Sequence, residues 1–425
     1  MTSAQQQLEI LRRGTAEIIP EDELARRLEE GRPLRVKLGV DPTGPDIHLG
    51  HAVVLRKLRQ FQDLGHTAVL IVGDFTALIG DPSGRTESRP QLTPDQVREN
   101  LRTYRRQAFM ILDRQRTEFR YNSKWLGKLS SSDILRLCGS TTVAQILVRE
   151  GYAERYAAGE PIGLHELLYP LFQAYDSIAV RADIELGGTE QKFNLLVGRE
   201  LQRTNPLGEP QPEQICITMP ILLGTDGTQR MGKSLGNYIP LSTTAEDLYG
   251  KIMSVHDNLI GQYRALLTGM PEAEVKALES AIALREVNPR DAKSALARDI
   301  VAWLKGKRAS ARAEKAFQRI FAGKAPNREA LLQSAIRVQI EPGTVWAAKL
   351  LVQSTLATSG SEARRVITQG GFWVDDEKVT DPQREIEIRD GMLLRVGKRR
   401  AAQIFTEVSG LSPFPTRRTD ETATE

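Results

Sequence analysis

The sequence has few cysteines and no long apolar runs, and both absences limit the kind of protein it can encode. Cys138 and Cys216 are its only cysteines among 425 residues, so we expect no disulfide framework and a reducing compartment. No stretch approaches the ~18 unbroken apolar residues typical of a membrane helix. The segment from Met1 to Leu11 also lacks the basic start and apolar run of a signal peptide. These features predict a cytoplasmic protein with no membrane partner.

Common nucleotide and metal signatures are also missing. The chain has neither a dinucleotide-binding GxGxxG nor a Walker GxxxxGK[ST] sequence, and it has no HExxH or cysteine cluster. We therefore predict no tightly bound protein metal. The net charge of +4 permits an acidic partner such as RNA but does not establish one. A length of 425 residues favours roughly three domains.

Two short polar clusters stand out against this background. One is His48-Leu49-Gly50-His51 and the other, far downstream, is Arg230-Met231-Gly232-Lys233-Ser234. Each lies in a turn punctuated by glycine and offers several hydrogen-bond donors to an anion. Together they indicate a nucleoside triphosphate bound from two sides.

The pattern around the first cluster predicts a strand–helix–strand unit. Val36–Val40 is a short apolar run, apolar residues then recur at helical spacing from about Gly50 to Gly65, and Ala68–Val72 forms a second run. The start of such a helix is an anion site, because its N–H groups and its dipole favour negative charge. On spacing alone, a structural histidine pair is about equally plausible.

The two clusters together resemble the HIGH and KMSKS signatures of class I aminoacyl-tRNA synthetases. Further segments of the pattern occur in order between and beside the clusters: Asp41-Pro42-Thr43, Gly80–Gly84, Tyr169–Asp176, Gly187–Gln191 and Leu235-Gly236-Asn237. The series resembles the bacterial tyrosyl-tRNA synthetase family over nearly the whole chain. Within that family it is similar to the branch with a lysine, Lys37, two residues before Gly39.

The resemblance implies an α/β fold with three parts and a tail. Residues 1–240 are expected to form a Rossmann-like catalytic domain with a mostly parallel sheet, and residues 241–340 a helical anticodon-side domain. Residues 344–406 should form a small α+β, S4-like RNA-binding domain, and residues 407–425 are expected to be disordered. Without the family, residues 241–340 could equally be a helical spacer.

The implied reaction joins tyrosine to ATP, releasing pyrophosphate, and then transfers tyrosine to the 3′ end of tRNA(Tyr). ATP is a substrate and is expected to carry Mg²⁺. The residues matched to catalysis are Thr43, His48, His51, Arg230, Lys233 and Ser234. Those matched to ATP binding are Asp41, Gly50, Gly188, Glu190 and Lys233. Arg230, Gly232 and Glu190 stand where the family more often has Lys, Ser and Asp.

The tyrosine site is expected along one helix. Its apolar stripe comprises Leu164, Leu167, Leu168, Leu171, Tyr175 and Ile178, whereas Tyr169, Gln173 and Asp176 share the opposite, polar face. From spacing alone, an ordinary solvent-exposed face is the more plausible reading of that polar trio. The resemblance instead assigns tyrosine binding to Lys37, Gly39, Asp81, Tyr169, Gln173, Asp176 and Gln191, with Asp176 at the phenol.

The C-terminal basic residues are candidates for RNA contact. They are Arg364, Arg365, Lys398, Arg399 and Arg400; a solvated basic face is the competing interpretation. The family further implies a homodimer. Two other functions stay open at this stage: a tryptophanyl-tRNA synthetase, and a non-catalytic RNA-binding protein derived from a synthetase.

Overall fold

The structure is a computed structural model that describes residues 2–83, 92–149, 151–321, 328, 331–332, 335–357, 359–397 and 400–406. The chain divides into two compact units, the first ending at Glu314 and the second beginning at Lys315. Each unit is described by itself.

A six-stranded sheet forms the centre of the first unit. Its strands are β1 (Glu17–Ile19), β2 (Arg35–Val40), β3 (Thr67–Val72), β4 (Thr117–Tyr121), β5 (Ile184–Gly188) and β6 (Ile215–Met219). They are arranged in the order β1-β6-β5-β2-β3-β4, and every pair is parallel except β1 with β6. The mostly parallel α/β sheet predicted from the sequence is therefore confirmed.

Helices surround this sheet. Up to the end of β6 they are α1 (Ala4–Arg12), α2 (Glu21–Glu29), α3 (Leu49–Asp63), α4 (Pro94–Ala108), α5 (Ser123–Leu126), α6 (Ser131–Cys138), α7 (Val143–Leu147), α8 (Tyr152–Ala157), α9 (Leu164–Val180) and α10 (Lys192–Thr204). Short 3₁₀ turns occur at Thr76–Leu78, Thr189–Gln191, Lys233–Leu235 and Asp257–Leu259. No helix within the described ranges has both the length and the apolar character needed to cross a membrane.

The apolar runs in the sequence become the buried centre of the sheet. In β3, residues Ala68–Val72 are all buried, as expected for a parallel strand that is covered on both faces. Helix α3 packs against it through buried residues such as Val53, Leu58 and Phe61. The predicted strand–helix–strand unit is present, with helix bounds within two residues of those expected.

Two backbone hydrogen bonds join the segments that carry the polar clusters. The Leu49 N–H donates to the Ile239 carbonyl at 3.0 Å, and the Leu241 N–H donates to the Ile47 carbonyl at 2.8 Å. His48 lies between these bonds and forms an antiparallel bridge with Pro240. The start of α3 and the chain just after the second cluster are therefore held side by side.

The helices after residue 241 begin with α11 (Ala245–Met253), α12 (Ile260–Tyr263), a π-helical turn (Arg264–Thr268), α13 (Glu272–Ala283), α14 (Pro289–Lys305) and α15 (Lys307–Phe321). Asn288 caps α14, its side chain accepting from the Arg290 N–H. Lys305 Nζ donates to the Leu241 carbonyl at 2.7 Å, and the Arg56 guanidinium lies over the Trp303 ring at 5.2 Å. Helices α11 to α14 thus belong to the same compact unit as the sheet.

The second unit is a small α+β fold. Its helices are α16 (Ala347–Gln353) and α17 (Gly360–Thr368), and its strands are β7 (Ile336–Gln339), β8 (Thr344–Trp346), β9 (Phe372–Val374), β10 (Glu377–Val379), β11 (Glu385–Glu387), β12 (Leu393–Val396) and β13 (Arg400–Phe405). Five strands pair in the order β10-β9-β12-β13-β7, and β11 pairs with β8. Ser359 caps α17, its side chain accepting from the Glu362 N–H.

Candidate active site

A cavity of about 480 Å³ opens at the carboxyl edge of the first sheet. Its walls come from the chain after β2, the start of α3, helix α9 and the chain after β5 and β6. This is where ligands bind in open α/β sheets, and the volume suits a small-molecule site. Both polar clusters, the Asp41–Thr43 turn and the polar trio of α9 contribute to the lining.

The two histidines of the first cluster are fixed by the backbone. His48 is the N-cap of α3, and its Nδ1 accepts from the Gly50 N–H at 3.2 Å. His51 Nδ1 accepts from the His48 N–H at 3.3 Å, and the ring centroids are 3.9 Å apart. An acceptor Nδ1 in a neutral ring places the proton on Nε2. Burial, followed by the positive charge of Lys233, lowers the pKa of His48 to about 3, so this ring is a neutral donor at pH 7.

Gly50 is required here because of its small size. A Cβ at this position would lie 2.9 Å from Cε1 of the His48 ring. The family resemblance assigned this glycine to ATP binding. The structure adds that any side chain would displace the capping histidine.

The second cluster forms a loop held around one buried amide. Asn237 Oδ1 accepts from the Gly232 N–H at 2.8 Å, and its Nδ2 donates to the Arg230 carbonyl at 3.0 Å. From this loop, Lys233 Nζ reaches across the cavity and donates to the Gly44 carbonyl at 3.1 Å and to the Tyr104 hydroxyl at 2.9 Å. Ser234 is exposed at the cavity rim.

Asp176 lies at the opposite end of the cavity. Its side chain is buried, Oδ1 accepts from Trp125 Nε1 at 2.7 Å, and Oδ2 accepts from Asn122 Nδ2 at 3.2 Å. Burial raises the pKa of Asp176 to about 7, although the charge of Lys37 and the two hydrogen bonds oppose that rise. A buried carboxyl held by two donors can accept or donate a hydrogen bond to a ligand hydroxyl, depending on its protonation.

Helix α9 does not have the solvent-exposed polar face that spacing alone favoured. Tyr169 and Asp176 are buried and line the cavity with Gln173. By contrast Leu164, which we expected in the apolar stripe, is 81 % exposed. The physical reason is that the polar face lines the cavity, whereas Leu164 in the first turn of the helix is left uncovered by the rest of the described chain.

Asp41 joins the two ends of the cavity. Its Oδ2 accepts from the Tyr169 hydroxyl at 2.9 Å, and its Oδ1 accepts from Thr76 Oγ1 at 2.8 Å. Asp41 was expected beside ATP, yet its carboxylate also orients a tyrosine hydroxyl of the α9 trio. Thr43 follows in the same turn and lines the cavity.

A chain of hydrogen-bonded side-chain amides fixes the polar groups in the middle of the cavity. Asn194 is fully buried and donates to Gln173 Oε1 at 2.8 Å and to Gln191 Oε1 at 3.1 Å. Gln191 Nε2 donates to Asp81 Oδ2 at 2.6 Å, and Asp81 Oδ1 accepts from the Ser83 N–H at 2.9 Å. The expected tyrosine-site residues Asp81, Gln173 and Gln191 therefore form one connected group.

Lys37 is not among the residues that line the described cavity, so its expected direct contact with tyrosine does not fit the geometry. It is fully buried behind α9. Its Nζ pairs with Glu185 Oε1 at 2.9 Å and donates to the Gln173 carbonyl and the Ser177 hydroxyl, each at 2.8 Å. These partners hold the ammonium away from the cavity lining, and its charge acts on Asp176 through space.

Gly39, Gly188 and Glu190 complete the cavity lining. Gly39 lines the cavity with open space where a Cβ would stand. Glu190 folds back on Gly188, where a Cβ would lie 2.2 Å from its carboxyl oxygen. Burial is the main cause of the raised pKa of Glu190, with Asp81 adding to it and Arg230 opposing it.

Three of the five candidate RNA contacts lie within the described part of the second unit. Arg364 and Arg365 are exposed on α17. Arg400 donates to the Leu356 carbonyl at 3.1 Å and lies 3.8 Å from Glu362. Lys398 and Arg399, and the tail from residue 407, lie outside the described residues.

Sequence reasoning missed four side chains that organise this site: Tyr104, Asn122, Trp125 and Asn194. Each belongs to none of the quoted motifs, and each reaches the cavity through tertiary contacts across many residues of chain. Only the polar spacing within α4 carried a signal for Tyr104.

The fold and the cavity define a class I tRNA synthetase of the tryptophan and tyrosine group. The family model described as tRNA synthetases class I (W and Y) matches residues 29–322, and the S4 domain model matches residues 345–390. Both the synthetase fold and the C-terminal S4 domain expected from the sequence are thereby confirmed.

Individual relatives narrow the assignment. The chain is 48 % identical to the tyrosine--tRNA ligase of Moorella thermoacetica over 404 residues, covering 94 % of this chain and 96 % of the relative. It is 49 % identical to that of Salinibacter ruber over 412 residues, covering 95 % and 98 %. A truncated mitochondrial tyrosyl-tRNA synthetase from Aspergillus nidulans shares the fold, with a TM-score of 0.61 at 22 % identity, over 76 % of this chain and 95 % of that one. The chain belongs to the tyrosine--tRNA ligase family.

The raised pKa of Asp176 predicts how stability depends on pH. The folded, ligand-free protein holds this proton more tightly than the unfolded chain does, so stability should fall as pH rises from the ordinary pKa of 3.8 to about 7. In the wild type, the free energy of unfolding should fall by up to about 4 kcal/mol across this window. Asp176→Asn cannot titrate and should not show this fall. Urea unfolding of both proteins across this window measures the difference.

Comparing the wild type with Asp176→Asn also separates the contribution of Asp176 to stability from that of His48. The lowered pKa of His48 contributes stability that is lost as pH falls below the ordinary value of 6.5, which is the opposite slope. That contribution is common to both proteins and cancels in their difference. Parallel stability profiles for the two proteins would contradict the raised pKa of Asp176.

Proposed function

We propose that this protein activates L-tyrosine with ATP and transfers it to tRNA(Tyr). One observation carries the proposal: a single cavity has a buried carboxyl, Asp176, at one end and the His48–His51 pair with Lys233 at the other. A phenol hydroxyl suits the first end, and phosphates suit the second. The membership of the chain in the tyrosine--tRNA ligase family supports the same activity.

In the first step, a tyrosine carboxylate oxygen attacks the α-phosphorus of ATP, and the bond to the bridging oxygen of pyrophosphate breaks. No protein nucleophile is needed, so the protein contributes positioning and stabilisation of phosphate charge. In the second step, a ribose hydroxyl at the tRNA 3′ end attacks the tyrosyl carbonyl carbon, and AMP leaves. ATP enters as its magnesium complex, since Mg²⁺ is satisfied largely by phosphates and water.

The roles on the phosphate side follow from the donors available there. His48 and His51 offer Nε2–H groups from the first turn of α3, where the helix dipole also favours an anion. Lys233 supplies a mobile positive charge for the leaving pyrophosphate, and Arg230, Ser234 and Thr43 stand beside it at the cavity wall. Asp41, Gly50, Gly188 and Glu190 are assigned to the nucleoside side of ATP.

The roles on the tyrosine side follow from the acceptors. Asp81, Tyr169 and Gln173 present oxygens suited to the substrate ammonium, and Gln191 stands next to Asp81 near the substrate carboxylate. Asp176 is assigned to the phenol hydroxyl, with Gly39 leaving room beside it. We assign Lys37 a supporting role through Glu185 and the Gln173 carbonyl.

The alternatives are weaker. A tryptophanyl enzyme would share the fold and both clusters, but the relatives reported above are tyrosine--tRNA ligases. A non-catalytic RNA-binding descendant would have no need to keep His48, His51 and Lys233 converging on one cavity. The S4 unit, with exposed Arg364 and Arg365, supports contact with tRNA phosphates.

A charging assay tests the proposal as a whole. Purified protein, ATP and labelled tyrosine should place label on tRNA(Tyr) transcripts, and omission of ATP should abolish it. Labelling with tryptophan instead, or tRNA binding with no charging by either amino acid, would favour one of the alternatives.

Lys233→Ala tests the phosphate-side role. We expect the single-turnover rate of adenylate formation to fall by about 10²- to 10³-fold, whereas tyrosine affinity stays within a factor of two or so because Lys233 does not reach that end. Lys276→Ala, which removes an exposed lysine in α13, is the matched control. An unchanged rate of adenylate formation together with impaired tyrosine binding would contradict this role for Lys233.

Asp176→Ala tests the tyrosine-side role. Phenylalanine leaves the buried carboxyl without a hydroxyl partner, a loss of about 1–3 kcal/mol that tyrosine avoids. Removing the carboxyl should therefore narrow the preference for tyrosine over phenylalanine, measured as the ratio of their kcat/KM values. Asp176→Asn serves as the second variant if the alanine protein folds poorly. A ratio that stays at the wild-type value in both variants would refute the assignment.

We also infer that the protein is a homodimer. Five large apolar side chains between α6 and the start of α9 are 60–81 % exposed: Leu135, Val143, Val148, Tyr156 and Leu164. Such a concentration of exposed apolar residues marks an interaction surface. A second copy of this chain is the partner consistent with the homodimeric family.

Charged substitutions test that surface. The double variant Val148→Glu and Leu164→Glu should shift the protein from twice the 47.3 kDa chain mass towards one chain mass, as measured by sedimentation. Leu284→Glu, at an equally exposed leucine after α13, should leave the mass unchanged. A wild-type protein that sediments as a monomer at all tested concentrations contradicts the inference.

A further inference from the structure

Helix α4 carries a polar stripe directed at the turn between β2 and α3. Asn100, Thr103, Tyr104 and Gln107 have the spacing i, i+3, i+4, i+7, which places them on one helix face. None of them belongs to the sequence motifs of the site. They lie on an element that the roles proposed above do not use.

This stripe satisfies the backbone of the turn at residues 41–47. Asn100 Nδ2 donates to the Pro42 carbonyl at 2.8 Å, and Thr103 Oγ1 donates to the Pro45 carbonyl. Gln107 makes two hydrogen bonds with the turn, each at 2.8 Å: its Nε2 donates to the Pro45 carbonyl, and its Oε1 accepts from the Ile47 N–H. Pro42 and Ile47 are buried, and buried backbone groups need partners, so α4 determines the shape of the turn that leads into the His48 cap.

Tyr104 extends the stripe to the second cluster. Its ring is buried, its hydroxyl donates towards the Asp41 carbonyl at 3.4 Å, and it accepts from Lys233 Nζ at 2.9 Å. The Lys233 ammonium also stands 5.3 Å from the centre of the Tyr104 ring, within cation–π range. Gly44 makes room for this contact, because a Cβ there would lie 3.1 Å from Lys233 Cδ.

We propose that Tyr104 is a positioning residue that docks Lys233 onto the Asp41–Gly44 turn before ATP arrives. This inference rests on the proposed role of Lys233 in the adenylation step. A lysine side chain has many rotamers, and ordering it costs free energy at the moment of reaction. A phenol that holds the ammonium beside the phosphate site supplies that order in advance, which is the benefit of a preorganised site.

Tyr104→Phe is the direct test, because it removes the hydroxyl and keeps the ring. The loss of one hydrogen bond to a charged group should lower kcat/KM for ATP in tyrosine-dependent pyrophosphate exchange by about fivefold to tenfold. The KM for tyrosine should not change. Tyr249→Phe removes another buried hydroxyl, one bonded to Ser294, and should leave both constants unchanged.

A double-mutant comparison distinguishes docking from a structural effect. If Tyr104 acts through Lys233, Tyr104→Phe should have no further effect on exchange in a Lys233→Ala background. An equal fold-loss in both backgrounds, or no loss in the wild-type background, would overturn the proposal.

Chemical labelling tests the docking without relying on activity. Lys233 in the ligand-free wild type should be acylated several-fold more slowly than in Tyr104→Phe, as followed by peptide mass spectrometry, with Lys276 as the internal standard. Equal labelling rates would overturn the docking itself. If wild-type protein shows no exchange with tyrosine but labelling follows the expectation, the proposed function fails while the docking stands.

Discussion

The site depends on the backbone pairing of Ile47–Leu49 with Ile239–Leu241. These two hydrogen bonds join segments that are far apart in sequence and place one polar cluster on each side of the same cavity. His48 lies between these bonds, caps α3 and lines the cavity. The loop held by Asn237 extends Lys233 over the same side of the cavity. Without this pairing neither cluster would face the other, and the cavity would lose its phosphate end.

Burial then sets the charge states at the two ends. It raises the pKa of Asp176 and lowers that of His48, so each group shifts towards its neutral form. At the phosphate end, the neutral His48 ring therefore does not add to the positive charge of Lys233. At the other end a carboxyl has its oxygens fixed by Trp125 and Asn122. Asp41, bonded to Tyr169 and Thr76, connects these two environments.

Local patterns predicted the elements well because short-range spacing determines them. The start of α3 at the His48 cap, the Asn288 cap of α14 and the Ser359 cap of α17 could all be read from neighbouring residues. The exposure of a helix face could not be predicted from neighbouring residues, since burial depends on what packs against that face. The α9 trio therefore looked like a solvent face, while Leu164 looked like core.

The hydrogen-bond partners of the site residues could not be predicted from the sequence, for the same physical reason. Asn122 and Trp125 reach Asp176, and Tyr104 reaches Lys233, only because the sheet order brings distant segments together. Lys37 shows the converse case: the family resemblance indicated a contact with tyrosine, but its ammonium pairs with the buried Glu185 and Lys37 does not line the cavity. Motif matching located the cavity, and tertiary structure determined which side chains enter it.

We expect the cavity to activate tyrosine and no other amino acid. Amino-acid-dependent ATP–pyrophosphate exchange, measured with each of the twenty amino acids and without tRNA, tests it most directly. We expect exchange with tyrosine alone. Exchange with tryptophan in place of tyrosine would contradict the role of Asp176, and folded protein that gives no exchange with any amino acid would contradict the adenylation chemistry itself.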